Sequence, residues 1–311
     1  MGLLDLFRGG AKGGAALRAE EDLFDDDFQR KLDYLAMVSR KVFAGRMRAE
    51  RRTKKTGSGV EFADHREYQP GDDFRYLDWN VYQRLGRLLL RLFEEEEDLA
   101  IYIIVDASGS MAFGDAPKLR YAKLVAAALA YVGLANLDRV SVVSTADGIV
   151  GRMPETRGKA RIFKVFRFLR EVQGGGPTDL GDAMKSFVAQ NKRRGLAILI
   201  SDLFDPAGFE RGINVLRYNK FEPYVVHVID PEDARPKLHG DVLVYDCETG
   251  EEREVTVTGR ILDQYTKAHE AFLADVARFC ATHQVSYIPA DIRTPFDELI
   301  LRVFRRGGFL R

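Results

Sequence analysis

The sequence predicts an α/β protein built on a mainly parallel sheet with helices on both faces, and three observations carry that expectation. Leu99–Val105 and Leu196–Ile200 are continuous apolar runs rich in β-branched residues, the pattern of strands covered on both sides rather than half exposed. Segments of helical spacing separate the strand-like runs along the second half of the chain, as in layered α/β domains. Both apolar runs stop abruptly at oxygen-bearing residues: Asp106, Ser108 and Ser110 after the first, Ser201 and Asp202 after the second. In open α/β sheets this carboxyl edge is where ligands bind.

Taken in order, residues 1 to 24 mix glycine, alanine and acids without periodicity and are expected to be a flexible leader. Asp25–Asp27 then precede an amphipathic helix with Phe28, Leu32, Leu35 and Val42 on one face. A basic run follows from Arg40 to Lys55; nearly free of aromatic residues for base stacking, it reads as a solvated or acid-paired surface rather than a nucleic-acid site. Pro70-Gly71 sets a tight turn. Around it Asp64, Glu67, Asp72, Asp73 and Asp78 alternate with Arg66, Arg75, Arg84, Arg87 and Arg91, a pattern that predicts an ion-pair lattice anchored by Trp79 and Tyr76. Leu88–Phe93 reads as a strand, and the acids from Glu94 to Asp98 as a solvated connection. Residues 25–97 are thus expected to form a smaller α+β subdomain ahead of the sheet domain at 98–311.

Within 98–311, Tyr121, Val125, Ala128, Val132 and Ala135 recur at helical spacing. Val140–Ser144 and Ile149–Met153 flank the hairpin dipeptide Asp147-Gly148, and Ala160–Val172 reads as a helix. In Gly174-Gly175-Gly176-Pro177-Thr178-Asp179 the glycines resemble a phosphate cradle, but the Lys-Ser/Thr pair of a nucleotide-binding loop is absent. Thr178 has two roles open to it: N-cap of a helix from Asp179 to Gln190, or oxygen ligand facing the Asp106 turn. Asp205-Pro206 offers a cap for a helix through Leu216, which leaves Asp202 with no capping task. Pro223–Ile229 is a further strand. Val242–Tyr245 and Glu254–Val257 flank Glu248-Thr249-Gly250-Glu251 as an inserted hairpin at about 240–258, and a helix (Ile261–Thr282), a strand (Val285–Ile288) and a terminal helix (Pro295–Phe304) complete the alternation.

The 311 residues carry 47 basic and 47 acidic side chains, so no global field points to nucleic acid or anionic membranes. Cys247 and Cys280 have no neighbouring Cys or His at ligand spacing and read as ordinary thiols. No apolar stretch reaches the roughly 20 residues of a membrane-spanning helix, and the start lacks a secretory pattern. A cytoplasmic location is expected.

Asp106, Ser108, Ser110, Thr178 and Asp202 together offer two carboxylates and three hydroxyls from three loops. Such hard oxygens suit Mg²⁺ or Mn²⁺ while only partly neutralising it, which leaves the ion able to attract a carboxylate from another chain. Asp-x-Ser-x-Ser after a buried strand, a Thr in a Gly-rich loop and an Asp after a later strand resemble the metal-ion-dependent adhesion site of von Willebrand factor A domains. That resemblance implies a doubly wound sheet and a metal held by these five residues, bridging to a partner's Asp or Glu. Upstream, Gly-Ser-Gly-Val-Glu-Phe, Arg66-Glu67-Tyr68, Pro70-Gly71-Asp72-Asp73 and Leu77-Asp78-Trp79 are similar to the bacterial family called domain of unknown function 58. That resemblance implies a cytoplasmic protein linked with a MoxR-type AAA+ ATPase in protein remodelling or maturation, and the five oxygens on three loops make a non-catalytic binding or scaffold role the expectation. The alternative at the same site is metal-assisted hydrolysis of phosphate or acyl substrates; against it, all five histidines are far in sequence from the three loops and no Gly-x-Ser-x-Gly motif occurs.

Overall fold

The computed structural model describes residues 22–43, 52–56, 61–96, 100–114, 117–236, 238–248 and 250–306. Contacts divide the chain into a larger unit, Met1–Ser39 with Leu99–Phe309, and a smaller one dominated by Arg40–Asp98. The first described element is a short 3-10 turn, Asp22–Phe24, with Leu23 and Phe24 buried; the rest of the expected leader, 1–21, lies outside the described residues. Helix α1 (Asp26–Phe43) opens with Asp25 accepting the Phe28 N–H at 2.7 Å. Its residues up to Ser39 belong to the larger unit, where Phe24 stacks on Phe166 at 4.5 Å and Phe28 lies 4.7 Å from Phe296.

The smaller unit is an antiparallel sheet of order β1-β3-β2, formed by β1 (Arg52–Thr56), β2 (Glu61–Glu67) and β3 (Leu89–Glu96), with helix α2 (Trp79–Leu85). Of the acidic run expected as a solvated connection, Glu94–Glu96 instead extend β3, whose register sets them opposite Lys54, Thr53 and Arg52 of the basic run; Glu97 and Asp98 lie outside the described residues. The Pro70-Gly71 turn closes as expected, Asp72 donating its N–H to Gln69 with Gly71 at φ +107°. The charge lattice forms: Arg66 meets Asp72 at 2.8 Å, Arg87 meets Glu67, and His65 and Arg91 both reach Asp78. Trp79 does not anchor it; at the head of α2 it is half exposed, against Tyr82.

The larger unit centres on β4 (Ala100–Asp106), every residue of which is buried. After it come α3 (Gly109–Ala112), α4 (Pro117–Ala135), β5 (Arg139–Thr145), β6 (Ile149–Thr156), α5 (Ile162–Glu171), α6 (Leu180–Gln190), β7 (Leu196–Ser201), α7 (Phe209–Tyr218) and β8 (Glu222–Ile229). The inserted strands β9 (Gly240–Tyr245) and β10 (Glu252–Val257), helix α8 (Gly259–Thr282), β11 (Ser286–Asp291) and α9 (Phe296–Arg306) follow. Six strands make one sheet in the order β11-β8-β7-β4-β5-β6, all neighbours parallel except β6, which runs antiparallel on the edge. This is a mixed α/β protein with a mostly parallel central sheet. Alternation along β4 splits its side chains between two helix layers: Ala100, Tyr102 and Ile104 share a core with Leu180, Phe187, Ile213 and Val276 of α6, α7 and α8, whereas Ile101 meets Gly133 of α4. Among the described residues no helix is long and apolar enough to cross a membrane.

Candidate metal site

Strand order grows outward on either side of β4, and β4 and β7 lie side by side in parallel with Val105 opposite Ile200. Their carboxyl ends therefore emerge together. Asp106, fully buried, accepts the Ser108 N–H at 2.9 Å on one oxygen and the Ser201 hydroxyl at 2.5 Å on the other. Burial, and then the facing Asp202 carboxylate, hold the Asp106 carboxyl well above the usual carboxylate range. Ser108 is the N-cap residue of α3, yet its hydroxyl takes no capping bond. It lies 3.1 Å from the Ser110 hydroxyl, which donates to Asp202 Oδ1 at 3.2 Å. Four of the five expected residues thus form one buried, hydrogen-bonded line across two strand ends.

Thr178, the fifth, comes from the glycine loop, which is stitched to the Asp106 turn by Gly175 N–H to Ala107 O at 2.8 Å and Gly109 N–H to Gly176 O at 2.9 Å. That close approach requires glycine at 174, where a Cβ would stand 2.3 Å from the Ala112 Cβ. The cap role for Thr178 fails: Asp179 caps α6 by accepting the Asp182 N–H at 2.7 Å. Thr178 instead gives both its N–H (3.0 Å) and its hydroxyl (2.5 Å) to the Glu248 carboxylate at the tip of the β9–β10 hairpin. Asp205 also departs from expectation. α7 begins after Gly208 with no side-chain cap, and Asp205 accepts from Leu180 N at the start of α6.

Asp202 is more occupied than its sequence position implied. Besides Ser110 it accepts the Phe204 N–H, and its Oδ2 takes the Lys118 ammonium at 2.7 Å, which also meets Asp233 at 3.0 Å. Burial alone would lower the Lys118 pKa, but these two carboxylates drive it above the ordinary lysine range. One histidine, distant in sequence, reaches the site from behind: His227 donates through Nε2 to the Asp202 carbonyl and accepts the Tyr287 hydroxyl at Nδ1, both at 3.1 Å. Burial pushes it down to about 4, so it is neutral.

All five residues are oxygen donors; the hydrogen-bonded network holds three carboxylates (Asp106, Asp202 and Asp233) with the Lys118 ammonium, and Glu248 adds a fourth carboxylate on Thr178. Thr145, in register with Asp106, carries a buried hydroxyl without a hydrogen-bond partner. Among the described residues no group of three or more His, Cys, Asp or Glu is spaced to hold a metal, so an ion here depends on the serine and threonine hydroxyls. On charge and ligand type the residues fit Mg²⁺ or Mn²⁺.

The fold and this strand-end cluster define a mixed α/β protein with a polar site at the carboxyl edge of a mostly parallel sheet. The family model described as "Protein of unknown function DUF58" matches residues 64–272. The chain belongs to that family. It is 30% identical over 227 residues to the uncharacterized proteins Rv1480 of Mycobacterium tuberculosis and Mb1516 of Mycobacterium bovis, covering 71% of this chain and 71% of each relative. Among solved structures it is similar to the conserved hypothetical protein BatB from Bacteroides thetaiotaomicron, at 16% identity and a TM-score of 0.41, over 67% of this chain and 100% of that one. At that score the likeness assigns neither fold family nor ligand.

Proposed function

We propose that this protein is a non-catalytic, Mg²⁺- or Mn²⁺-dependent protein-binding module with a doubly wound domain of von Willebrand A type. Asp106, Ser108, Ser110, Thr178 and Asp202 hold the ion, and an Asp or Glu of a partner completes its coordination. The observation that carries this is the line Ser108–Ser110–Asp202 beside Asp106, four oxygen-bearing side chains converging from two adjacent strand ends at the point where strand order reverses. When bound, the ion supplies Lewis acidity toward a carboxylate. The chain's own groups do the rest: Ser201 and the Ser108 N–H orient Asp106, and Lys118 holds one oxygen of Asp202 so that the other faces Ser110. The partner, by the family resemblance, is a MoxR-type AAA+ ATPase or one of its clients. Calorimetric titration of Mg²⁺ or Mn²⁺ into the wild type and Asp106→Ala tests the reading. One site in the wild type that vanishes in the variant supports it, and equal or absent binding in both overturns it.

A further inference from the structure

The acceptor of both Thr178 hydrogen bonds is not a loop neighbour but a residue 70 positions away, carried on the inserted hairpin. The tip is shaped for this contact. Asp246 accepts the Glu248 N–H at 2.8 Å through its side chain and the Gly250 N–H at 2.8 Å through its carbonyl, and its own N–H closes onto Glu251 O at 2.9 Å. The tip also lies directly on the Asp106 turn: a Cβ at Gly109 would stand 3.0 Å from the Cys247 carbonyl oxygen and 3.1 Å from Glu248 Cγ. Glu248 therefore brings a carboxylate against two of the three candidate loops, from the solvent side. Among the described residues β9 and β10 pair with each other alone, and apart from the buried Val244 and Val257 their residues are exposed or half-buried.

A cation with an open face attracts an external carboxylate, and Glu248 of this chain already stands against Thr178 and Gly109. We propose that Glu248 is a ligand supplied in cis, closing the open face of the Asp106–Asp202 site, so that a partner's carboxylate enters only when the β9–β10 hairpin lifts. This rests on the metal-dependent reading above and adds to it a regulating element. Since the hairpin is held at its tip and carries few buried side chains, exchange of one carboxylate for another leaves the sheet undisturbed.

The test uses the full chain, Mn²⁺ as the metal and acetate as the carboxylate probe. Mn²⁺ is titrated into wild type, Glu248→Gln, Glu248→Ala and Asp106→Ala, with and without acetate, and thermal unfolding confirms that each variant is folded. The expected result is Mn²⁺ affinity lowered about tenfold or more in both Glu248 variants, the size of effect usual when a carboxylate supporting a metal is lost. Acetate then restores affinity in Glu248→Ala, where it fills the vacated space, and leaves the wild type unchanged. A hairpin that merely steadied the loop would give the loss without the acetate rescue, which overturns the proposal. Equal Mn²⁺ affinity in wild type and Glu248→Gln, with binding lost in Asp106→Ala, sinks the hairpin role and spares the metal site. No binding in the wild type removes both.

Discussion

Two parts of the larger unit meet at the Asp106 turn, and they are held in opposite ways. The ends of β4 and β7 grow out of strands in which every side chain is buried, and each donor there is fixed by a neighbour that is itself packed. The β9–β10 hairpin is, among the described residues, a two-stranded ribbon joined to no other strand, and its tip lies on the same turn at Gly109 through Cys247 and Glu248. On the sheet side a donor cannot be altered without disturbing the core. On the hairpin side, in the proposal above, it is withdrawn when the hairpin lifts, so that rigid donors face a releasable one.

The comparison is sharpest at Lys118. Lys118→Met leaves Asp202 and Asp233 near each other without their ammonium, and since the lysine is only 7% exposed at its side chain, the loss in unfolding free energy should be about 3–5 kcal/mol. Urea denaturation measures it; a loss below about 1 kcal/mol would mean that the strand ends are as loosely held as the hairpin. Glu248→Ala should be far milder for the fold. It removes two hydrogen bonds from Thr178 at a half-exposed tip, worth about 1 kcal/mol in the same experiment, even though it weakens metal binding as described above. A destabilisation comparable to that of Lys118→Met would erase the distinction between the two sides.

The smallest effect calibrates the scale on an exposed pair away from the site. Asp33 of α1 accepts from Lys159 at 2.8 Å and from the Tyr131 hydroxyl, and these bonds, Lys159 first, hold its carboxyl below the ordinary 3.8. A carboxylate with a lowered folded pKa contributes stability that is present above its unfolded value and lost as pH falls through its folded one. Asp33→Asn should therefore cost less than about 1 kcal/mol at neutral pH, because both side chains are more than half exposed. The difference from wild type should close below about pH 4. A gap that persists at pH 2 would assign the loss to packing of α1 instead.

What was legible in the sequence follows the same division. Leu99–Val105 and Leu196–Ile200 announce buried parallel strands because only sheets covered on both faces tolerate such runs, and the sheet realises them as Ala100–Asp106 and Leu196–Ser201. The Asp147-Gly148 turn and the hairpin around Glu248–Glu251 were likewise visible, since turn residues act locally. Partnerships across the chain were not. Lys118, just inside a helix start, looks like any surface lysine until the sheet brings β7 beside β4. Glu248 looks like a turn residue until the hairpin folds onto Gly109. At Thr178 the sequence leaves cap and ligand both open, and at Asp205 it points to a cap; each side chain has a local and a distant partner available, and tertiary contact decides between them. The charge of the acids at 94–96 suggests solvent, whereas β3 extends through them by backbone pairing with the segment 52–54.

The central claim is that oxygens from three loops converge on a single divalent cation. Anomalous diffraction from crystals of the full chain soaked in Mn²⁺ addresses it most directly. The account predicts one strong peak within bonding distance of the Ser108, Ser110 and Thr178 hydroxyls, with Glu248 on its outer face. A peak elsewhere, or none at the Asp106 turn while the loops keep the arrangement described, would contradict it.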